Sequence, residues 1–472
     1  MEFEWTVFIH IGIVSVALMV STFIRTRVGF FQKYLIPNAL TAGFILLPLY
    51  NFVFPLIGLD TLSLRSLTYH LLSISFVSMS LRKAPKRPND GRIFATAIAV
   101  LSQYAIQITI GLMVTFILIS TIMPDLYHSF GWLMPLGFVL GPGQALSIGS
   151  SWADSGILGA GDVGLTFAAV GFLVSTFGGV FLINYGRRKG WMSQKFLDVL
   201  NKQGVKRGVY RRGSELPAGA YLTTETEAVD SMTLNAGLVL LAYFIAYLFL
   251  SLMQRVLGLL GQPGIDLAES LWGISFIFAS AAGLSIKGLL TVFKSDHIID
   301  NQTLNRVSGF SVDYMVASAI GAISLIVVRD YWLPILILSS LATFFVFLQV
   351  PWFASRIFRD HRFHRMLLVF GVCTGTLSTG LALLRVIDPE FETPVASDYA
   401  YASGITFLFA IPFVLSINLP VRAYSTGNMS LFWIALGIAI AYLLFCFVAY
   451  LFLAKKRAFA KASTVWHPEE DE

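Results

Sequence analysis

Residues 139–156 read VLGPGQALSIGSSWADSG, and they lie inside a run that is otherwise apolar on both sides. A Gly-Pro-Gly turn followed by a row of hydroxyls breaks any helix that passes through it. In hydrocarbon each unpaired backbone group costs several kcal/mol, so such a break is tolerated only where the chain is buried in protein or faces water. The stretch therefore decides two things at once: whether the segment around it crosses a membrane, and where a site lies.

The rest of the chain establishes the membrane. Hydrophobic residues make up 56% of the 472 and charged residues 13%, and the mean hydropathy is +0.73. Soluble domains carry roughly a quarter charged residues. Apolar runs of about 18 to 25 residues, each long enough to cross a hydrocarbon core of about 30 Å, recur from end to end. They predict spans near 5–25, 36–56, 66–82, 92–123, 162–186, 233–256, 270–288, 307–328, 332–351, 399–420 and 430–454. The first follows Glu2 and Glu4 and precedes Arg25 and Arg27, the reverse of a cleavable signal peptide, and reads as a retained span. Cys373 and Cys446 both fall in apolar segments and give neither a disulfide framework nor a metal spacing.

Two stretches remain, 131–158 and 365–388, each apolar at its ends and broken between. Basic residues favour the cytoplasmic side of short loops, so their distribution separates full crossings from hairpins that enter and leave by one face. With both stretches as hairpins and the amino terminus outside, 28 of the 33 Lys and Arg fall on one side. With both as full crossings the split is 14 against 18, which is no bias. The hairpin reading also puts the carboxyl terminus in the cytoplasm. The net charge of +6 is thus an orientation signal rather than a sign of a nucleic-acid partner.

The expected fold is an all-α polytopic membrane protein with two inverted repeats of about five transmembrane helices plus a re-entrant hairpin each. Residues 1–186 form the first repeat, with its hairpin near 131–158. Residues 187–230 are a basic cytosolic linker. Residues 231–428 form the second repeat, with its hairpin near 365–388, and 429–472 supply an extra carboxyl-terminal helix and tail. Residual symmetry agrees. GDVGLTFAAVGFLVSTFGGVFLINYGRR (161–188) and SDYAYASGITFLFAIPFVLSINLPVRA (397–423) follow the two hairpins, with Asp162 and Asp398 at their starts, Asn184 and Asn418 near their ends and Arg187 and Arg422 beyond.

The breaks carry the candidate chemistry. The first offers Gly141, Gly143, Gln144, Ser147, Gly149, Ser150 and Ser151, and the second offers Gly371, Thr374, Gly375, Thr376, Ser378, Thr379 and Gly380. Unwound carbonyls and hydroxyls suit a hard cation such as sodium, here through Ser147, Thr376 and Ser378. Half-helix amino-terminal ends suit a carboxylate. Small residues also accumulate where membrane helices merely pack closely, but breaks at matching places in two halves point to a transport site. Arg385 follows the second break, where it reads as a bidentate partner for a carboxylate, as a snorkelling side chain or as a partner of Asp388. Asp313 lies several residues into a span, where an acid is costly, or near its water interface. Asn418 offers a carbonyl and an amide to a ligand or to a neighbouring helix. Asp162 and Asp398 read as helix caps, and the His361/His364 pair as solvated. No phosphate-binding glycine loop or catalytic constellation appears, which argues against ATP-driven transport and against an enzyme. A channel, and a membrane-embedded sensor or enzyme, are the rival classes.

With these residues in view the chain resembles the bacterial sodium/glutamate symporter family. KYLIPNALTAGFIL (33–46) is similar to the family's Lys-Tyr-x-Ile-Pro stretch. GFVLGPGQALSIGSSW through FGGVF (137–181) resembles its first glycine-rich hairpin and following helix, and GVCTGTLSTGLALL to LSINLP (371–420) its second, with Asn418 in a matching place. Gly-Pro-Gly-Gln stands where the family has adjacent glycines followed by His-Gly or Asn-Gly. The resemblance implies a secondary transporter in the bacterial inner membrane that couples sodium to a small anionic amino acid such as glutamate, or to a carboxylate. Sodium is then the coupling ion and no other cofactor is expected. It also implies elevator-type movement of the hairpin-bearing part and a homodimer formed through the scaffold. The same fold with a different substrate or with proton coupling is the alternative.

Overall fold

A computed structural model describes residues 5–34, 36–83, 91–191, 208–209, 219–388, 393–461 and 466, apart from the side chains at 262, 263, 266, 267, 269, 270, 378, 385, 397, 400 and 407. Every regular element among them is helical. Among the described residues nine helices are long and apolar enough to cross a membrane: α1 (Thr6–Arg27), α3 (Asn38–Ile57), α5 (Gly91–Thr121), α8 (Ala160–Lys189), α9 (Ser231–Gly258), α11 (Ser275–Val292), α14 (Trp332–Ile357), Tyr401–Thr426 and Met429–Arg457. The chain is an all-α integral membrane protein. The Tyr401–Thr426 span takes in most of α17 (Val395–Ser416) and all of α18 (Leu419–Thr426), and the last span begins as α19 (Met429–Ala454).

Two further expected spans are present as α4 (Leu62–Leu81) and α12 (Asn301–Gly321). They are more polar because they pack on each other inside the bundle and bury serines there, among them Ser73 and Ser78 on α4 and Ser311 and Ser318 on α12. Shorter helices complete the chain: α2 (Gly29–Lys33), α6 (Phe130–Leu140), α7 (Pro142–Ser151), α10 (Gln262–Gly273), α13 (Leu325–Asp330), α15 (Arg362–Thr374) and α16 (Leu377–Ile387).

Sequence-based boundaries shift at two places. The span expected over 270–288 begins at Ser275, because 262–273 forms the separate helix α10. The span expected over 307–328 ends at Gly321, and α13 follows a turn that Asn51 holds. The Asn51 amide donates to the Ile323 carbonyl at 2.9 Å and its oxygen accepts from the Leu325 N–H at 3.0 Å. Helix starts follow ordinary capping. Asp230 accepts from the Thr233 N–H at 2.7 Å ahead of α9, and Asp300 from the Thr303 N–H at 2.8 Å ahead of α12. Most of the 187–230 linker lies outside the described residues.

The apolar interior forms two main bodies. The larger contains side chains of α5, α6, α7, α8, α14, α15, α16, α17 and α19. The other gathers α1, α3, α4 and α12, and a satellite cluster joins α4 to α9 and α11. Helices α7 and α8 are the seam: Ala145, Ile148, Val163 and Phe167 belong to the first body, while Leu146, Leu165 and Phe172 belong to the second. Packing is paired across the two halves of the chain. Helix α1 lies on α3 as α9 lies on α11. Helix α3 lies on α12 as α11 lies on α4, α5 on α6 as α14 on α15, and α5 on α17 as α14 on α8.

Candidate functional site at two broken helices

Helix α6 ends in a wide π-type turn over Leu136–Leu140, and α7 begins at Pro142. Proline suits that first position because its missing N–H would have no helical partner there. Between them Gly141 has φ +93° and ψ 176°, a conformation open only to glycine. Both arms lie along α8. A Cβ at Gly137 would meet the Gly164 carbonyl at 2.7 Å, and one at Gly149 the Gly161 nitrogen at 2.8 Å. These glycines let backbones approach closely without side chains between.

The second break is built differently. Helix α15 ends at Thr374, Gly375 turns the chain, and Thr376 starts α16 with a capping box in which Thr379 takes the third position. The Thr376 N–H donates to Thr379 Oγ1 at 2.9 Å, and the Thr379 hydroxyl donates to the Gly371 carbonyl at 2.8 Å. The two arms fold back on each other, and a Cβ at Gly371 would meet the Gly380 Cα at 2.6 Å.

The two breaks, more than 230 residues apart in sequence, touch. A Cβ at Gly141 would lie 2.7 Å from Thr376 Cγ2 and 3.6 Å from the Gly375 carbonyl oxygen. Helix α8 backs the junction: a Cβ at Gly171 would lie 2.5 Å from the Thr374 carbonyl oxygen, and one at Gly375 would lie 3.1 Å from Phe172 Cδ1. Two carboxyl-terminal helix ends (α6, α15) and two amino-terminal ends (α7, α16) thus converge. They present backbone acceptors beside partly positive N–H ends.

Other residues singled out from the sequence take separate places. Gln144 is buried with its Oε1 3.9 Å from where a Gly141 Cβ would sit. A Cβ at Gly143 would meet Leu72 of α4 at 2.6 Å. Ser147 is buried and donates to the Gly273 carbonyl at the end of α10, so its hydroxyl is engaged there rather than at the second break. Ser150 is exposed, and Ser151 donates to the Ile148 carbonyl at 2.8 Å. Gly380 lies against the Leu368 carbonyl. The side chains of Ser378 and Arg385 lie outside the described residues. Asp388 accepts from the Thr393 N–H at 3.1 Å and from its hydroxyl at 2.5 Å. Asn418 accepts from the Trp152 indole N–H at 3.1 Å, which ties α18 to the end of the first broken segment. Asp313 is exposed on α12.

Three expectations are corrected. His364 is buried at the start of α15, not solvated. Asp162 and Asp398 do not cap their helices; each takes an arginine. Asp162 Oδ1 pairs with Arg65 at 2.6 Å and accepts from the Ser324 N–H at 2.9 Å. Asp398 pairs with Arg365 at 2.8 Å, and Arg365 also reaches Asp360 at 3.3 Å. The physical reason is burial: a carboxylate inside the bundle needs a full countercharge, where a capped helix end supplies only partial charge. Among the described ion pairs, Arg65–Asp162 is the one that links α4 to α8, the helix whose side chains enter both apolar bodies. The Asp162 side chain is only 5% exposed. We expect Arg65→Ala to destabilise the protein by about 2 kcal/mol and the swap Arg65→Asp/Asp162→Arg to recover part of it, read as unfolding midpoints in detergent.

Several polar groups escaped sequence reasoning. Ser175 and Thr176 sit on a π-type turn in the middle of α8 (Val174–Gly178), an irregularity that often marks a functional position. With Tyr34, Pro37, Thr379, Ala382 and Leu383 they line a cavity of about 20 Å³, room for a single water-sized species. A chain of buried amides runs between α5 and α14. Gln349 donates to Ser102 Oγ at 2.7 Å, Gln103 donates to Gln349, and Gln107 reaches Gln103 Oε1 at 3.4 Å. The signal was present, since polar side chains inside a span are costly and face the bundle interior. No protein-family model, curated protein or solved structure matches this chain.

Proposed function

We propose that the protein is a secondary active transporter that carries a small anionic amino acid or carboxylate by sodium-coupled symport. The carrying observation is the contact between the breaks, with Gly141 against Thr376 and Gly375. Helix ends of opposite polarity that converge inside a membrane protein suit a cation at the carbonyl end and an anion at the N–H ends. The paired packing of α1 to α8 with α9 to α18 supports two inverted repeats, with α6–α7 and α15–α16 as re-entrant hairpins and α19 as an additional span. The seam along α7 and α8 supports movement of the hairpin-bearing body against a scaffold of α1, α3, α4, α9, α11 and α12. The resemblance to the sodium/glutamate symporters adds the choice of sodium and of an acidic substrate. In this reading the amino terminus lies outside, and Arg65–Asp162 fastens the two bodies at that face.

Uptake of labelled acidic amino acids and dicarboxylates into proteoliposomes tests the reading. An inward sodium gradient should accelerate saturable uptake of at least one of them. Uptake that ignores sodium and follows a proton gradient would overturn the coupling. Fast, non-saturating flux would make the protein a channel.

A further inference from the structure

The last turns of α8 and α14 leave a groove between them. Helix α14 packs on the first part of α8, Ala160–Leu173, and less closely on its end, Gly179–Lys189. Side chains of Phe181, Leu182, Tyr185, Trp191, Phe347 and Pro351 line a cavity of about 300 Å³ there, at the lower end of ordinary ligand sites of roughly 300–1,000 Å³. Its floor is the buried Leu182, and its mouth opens outward between Phe181 and Tyr185, which are 58% and 39% exposed. Spacing on α14 sets one wall. Phe347 and Pro351 share a face of the helix, and Pro351 has no N–H to give the Phe347 carbonyl, so α14 lacks a rung at the groove.

The end wall is preformed by the way α8 stops. Gly190 takes the left-handed conformation at φ +68°. Its N–H reaches the Arg187 carbonyl at 3.4 Å, and the Trp191 N–H reaches the Gly186 carbonyl at 2.9 Å. This helix stop folds the residue after the glycine back over the last turn. Trp191 is then held on three sides. Tyr185 meets it edge-on at 5.2 Å, Phe363 of α15 lies at 6.4 Å, and Trp466 stacks on it at 4.2 Å with 12° between the planes. A wall fixed in this way loses little freedom when a ligand binds.

Charge at the rim names the occupant. The helical residues of the groove lie about 6–15 Å inside the ends of α8 and α14, at 1.5 Å per residue. That is the depth at which acyl chains begin beneath lipid headgroups. Arg188 and Lys189, three and four residues beyond Tyr185, continue its face of α8 toward the helix end. Both are exposed, and neither enters a described ion pair. Lys189 Nζ lies 5.8 Å from the centre of the Tyr185 ring. An apolar slot with cations at its rim, set between two membrane helices, matches an anionic phospholipid.

We propose that this groove binds an anionic phospholipid, with an acyl chain between α8 and α14 and the phosphate headgroup paired with Arg188 and Lys189. The chain completes the packing that the two helix ends leave open. In the orientation given above the lipid belongs to the cytoplasmic leaflet. The site shares no residue with the junction of the breaks and does not depend on the transport reading.

The test uses the full-length protein in a neutral detergent. Its unfolding midpoint is titrated with dioleoyl phosphatidylglycerol and, separately, with dioleoyl phosphatidylcholine. The anionic lipid should raise the midpoint at a lower mole fraction than the zwitterionic one. Each basic residue beside an anionic lipid is worth about fivefold in affinity. Arg188→Gln/Lys189→Gln should therefore weaken half-saturation by phosphatidylglycerol about thirtyfold. Glycerol phosphate, which carries the charge without the chains, should have no effect. Brominated acyl chains then locate the lipid. Brominated phosphatidylglycerol should quench wild-type tryptophan fluorescence more than brominated phosphatidylcholine does, and Trp191→Phe should remove that excess. Equal responses of the wild type to the two lipids would overturn the proposal, as would an unchanged half-saturation in the double variant. A midpoint raised by glycerol phosphate alone would make this an anion site instead, and excess quenching that survives Trp191→Phe would put the lipid elsewhere. Either result sinks the assignment.

Discussion

Replacing Gly141 with alanine is expected to abolish sodium-driven uptake while the protein still inserts in the membrane. Two costs act together. The backbone at φ +93° is closed to alanine without strain of about 1–3 kcal/mol. The new methyl would also lie 2.7 Å from Thr376 Cγ2, well inside van der Waals contact. Neither cost falls on the bulk of the fold, since the residue sits at a tip between two short helices. Each 1.4 kcal/mol is about a factor of ten, so an uptake loss of about a hundredfold follows. The pairing supplies its own control. Thr376→Ser removes the clashing methyl and keeps the hydroxyl, so Gly141→Ala/Thr376→Ser should regain part of the lost rate, with the backbone strain remaining. Uptake near the wild-type level in Gly141→Ala, at equal amounts of folded protein, contradicts the junction described here.

The largest effect on stability is expected at Arg365. Its side chain is 1% exposed and its guanidinium lies between Asp398, 3% exposed, and Asp360, which Arg92 also reaches at 2.8 Å. Arg365→Leu leaves the Asp398 charge buried without this partner and should cost about 3–5 kcal/mol, enough to lose most folded protein from the membrane. Arg365→Leu/Asp398→Leu removes both charges and should recover much of the loss, because replacing a buried pair by apolar groups is often close to neutral. Asp360, in the loop between α14 and α15, adds a pH signature. Burial pushes its carboxyl pKa up, but Arg365 and Arg92 outweigh burial and hold it below the ordinary value. A depressed folded pKa means the contribution is complete above the unfolded value near about 4 and is lost as pH falls through the folded one. Acidification below about pH 4 should therefore narrow the stability gap between wild type and Arg365→Leu. An acid response identical in the two proteins would contradict the pairing.

The sequence carried the helices and the breaks because both are local signals. Apolar runs mark spans, and Gly141-Pro142-Gly143 and Gly375 stop helices whatever lies around them. It did not carry what the breaks touch. That Gly141 meets Thr376, that Gly171 packs against the Thr374 carbonyl and that Ser147 turns instead to Gly273 are matters of long-range packing with no periodic trace. Asp162 and Asp398 stand where caps stand, so local reasoning assigned them as caps, while their arginine partners lie 97 and 33 residues away. The α10 boundary was missed because Pro263 and Gly264 begin a helix after a break that hydropathy averaging smooths over. The glutamines at 103, 107 and 349 were legible as polar residues in apolar spans, but only their convergence gives them meaning.

Cysteine accessibility in intact, right-side-out vesicles tests the central claim most directly. With Cys373 and Cys446 replaced by alanine, single cysteines at Asp125 and Asp154 flank the first broken segment, and those at Arg359 and Ala396 flank the second. A membrane-impermeant reagent should label positions 125 and 154 from the outer face, and 359 and 396 only after the inner face is opened. Labelling of the two flanks of either segment from opposite faces would make that segment a crossing and contradict the paired, inverted arrangement on which the transport site depends.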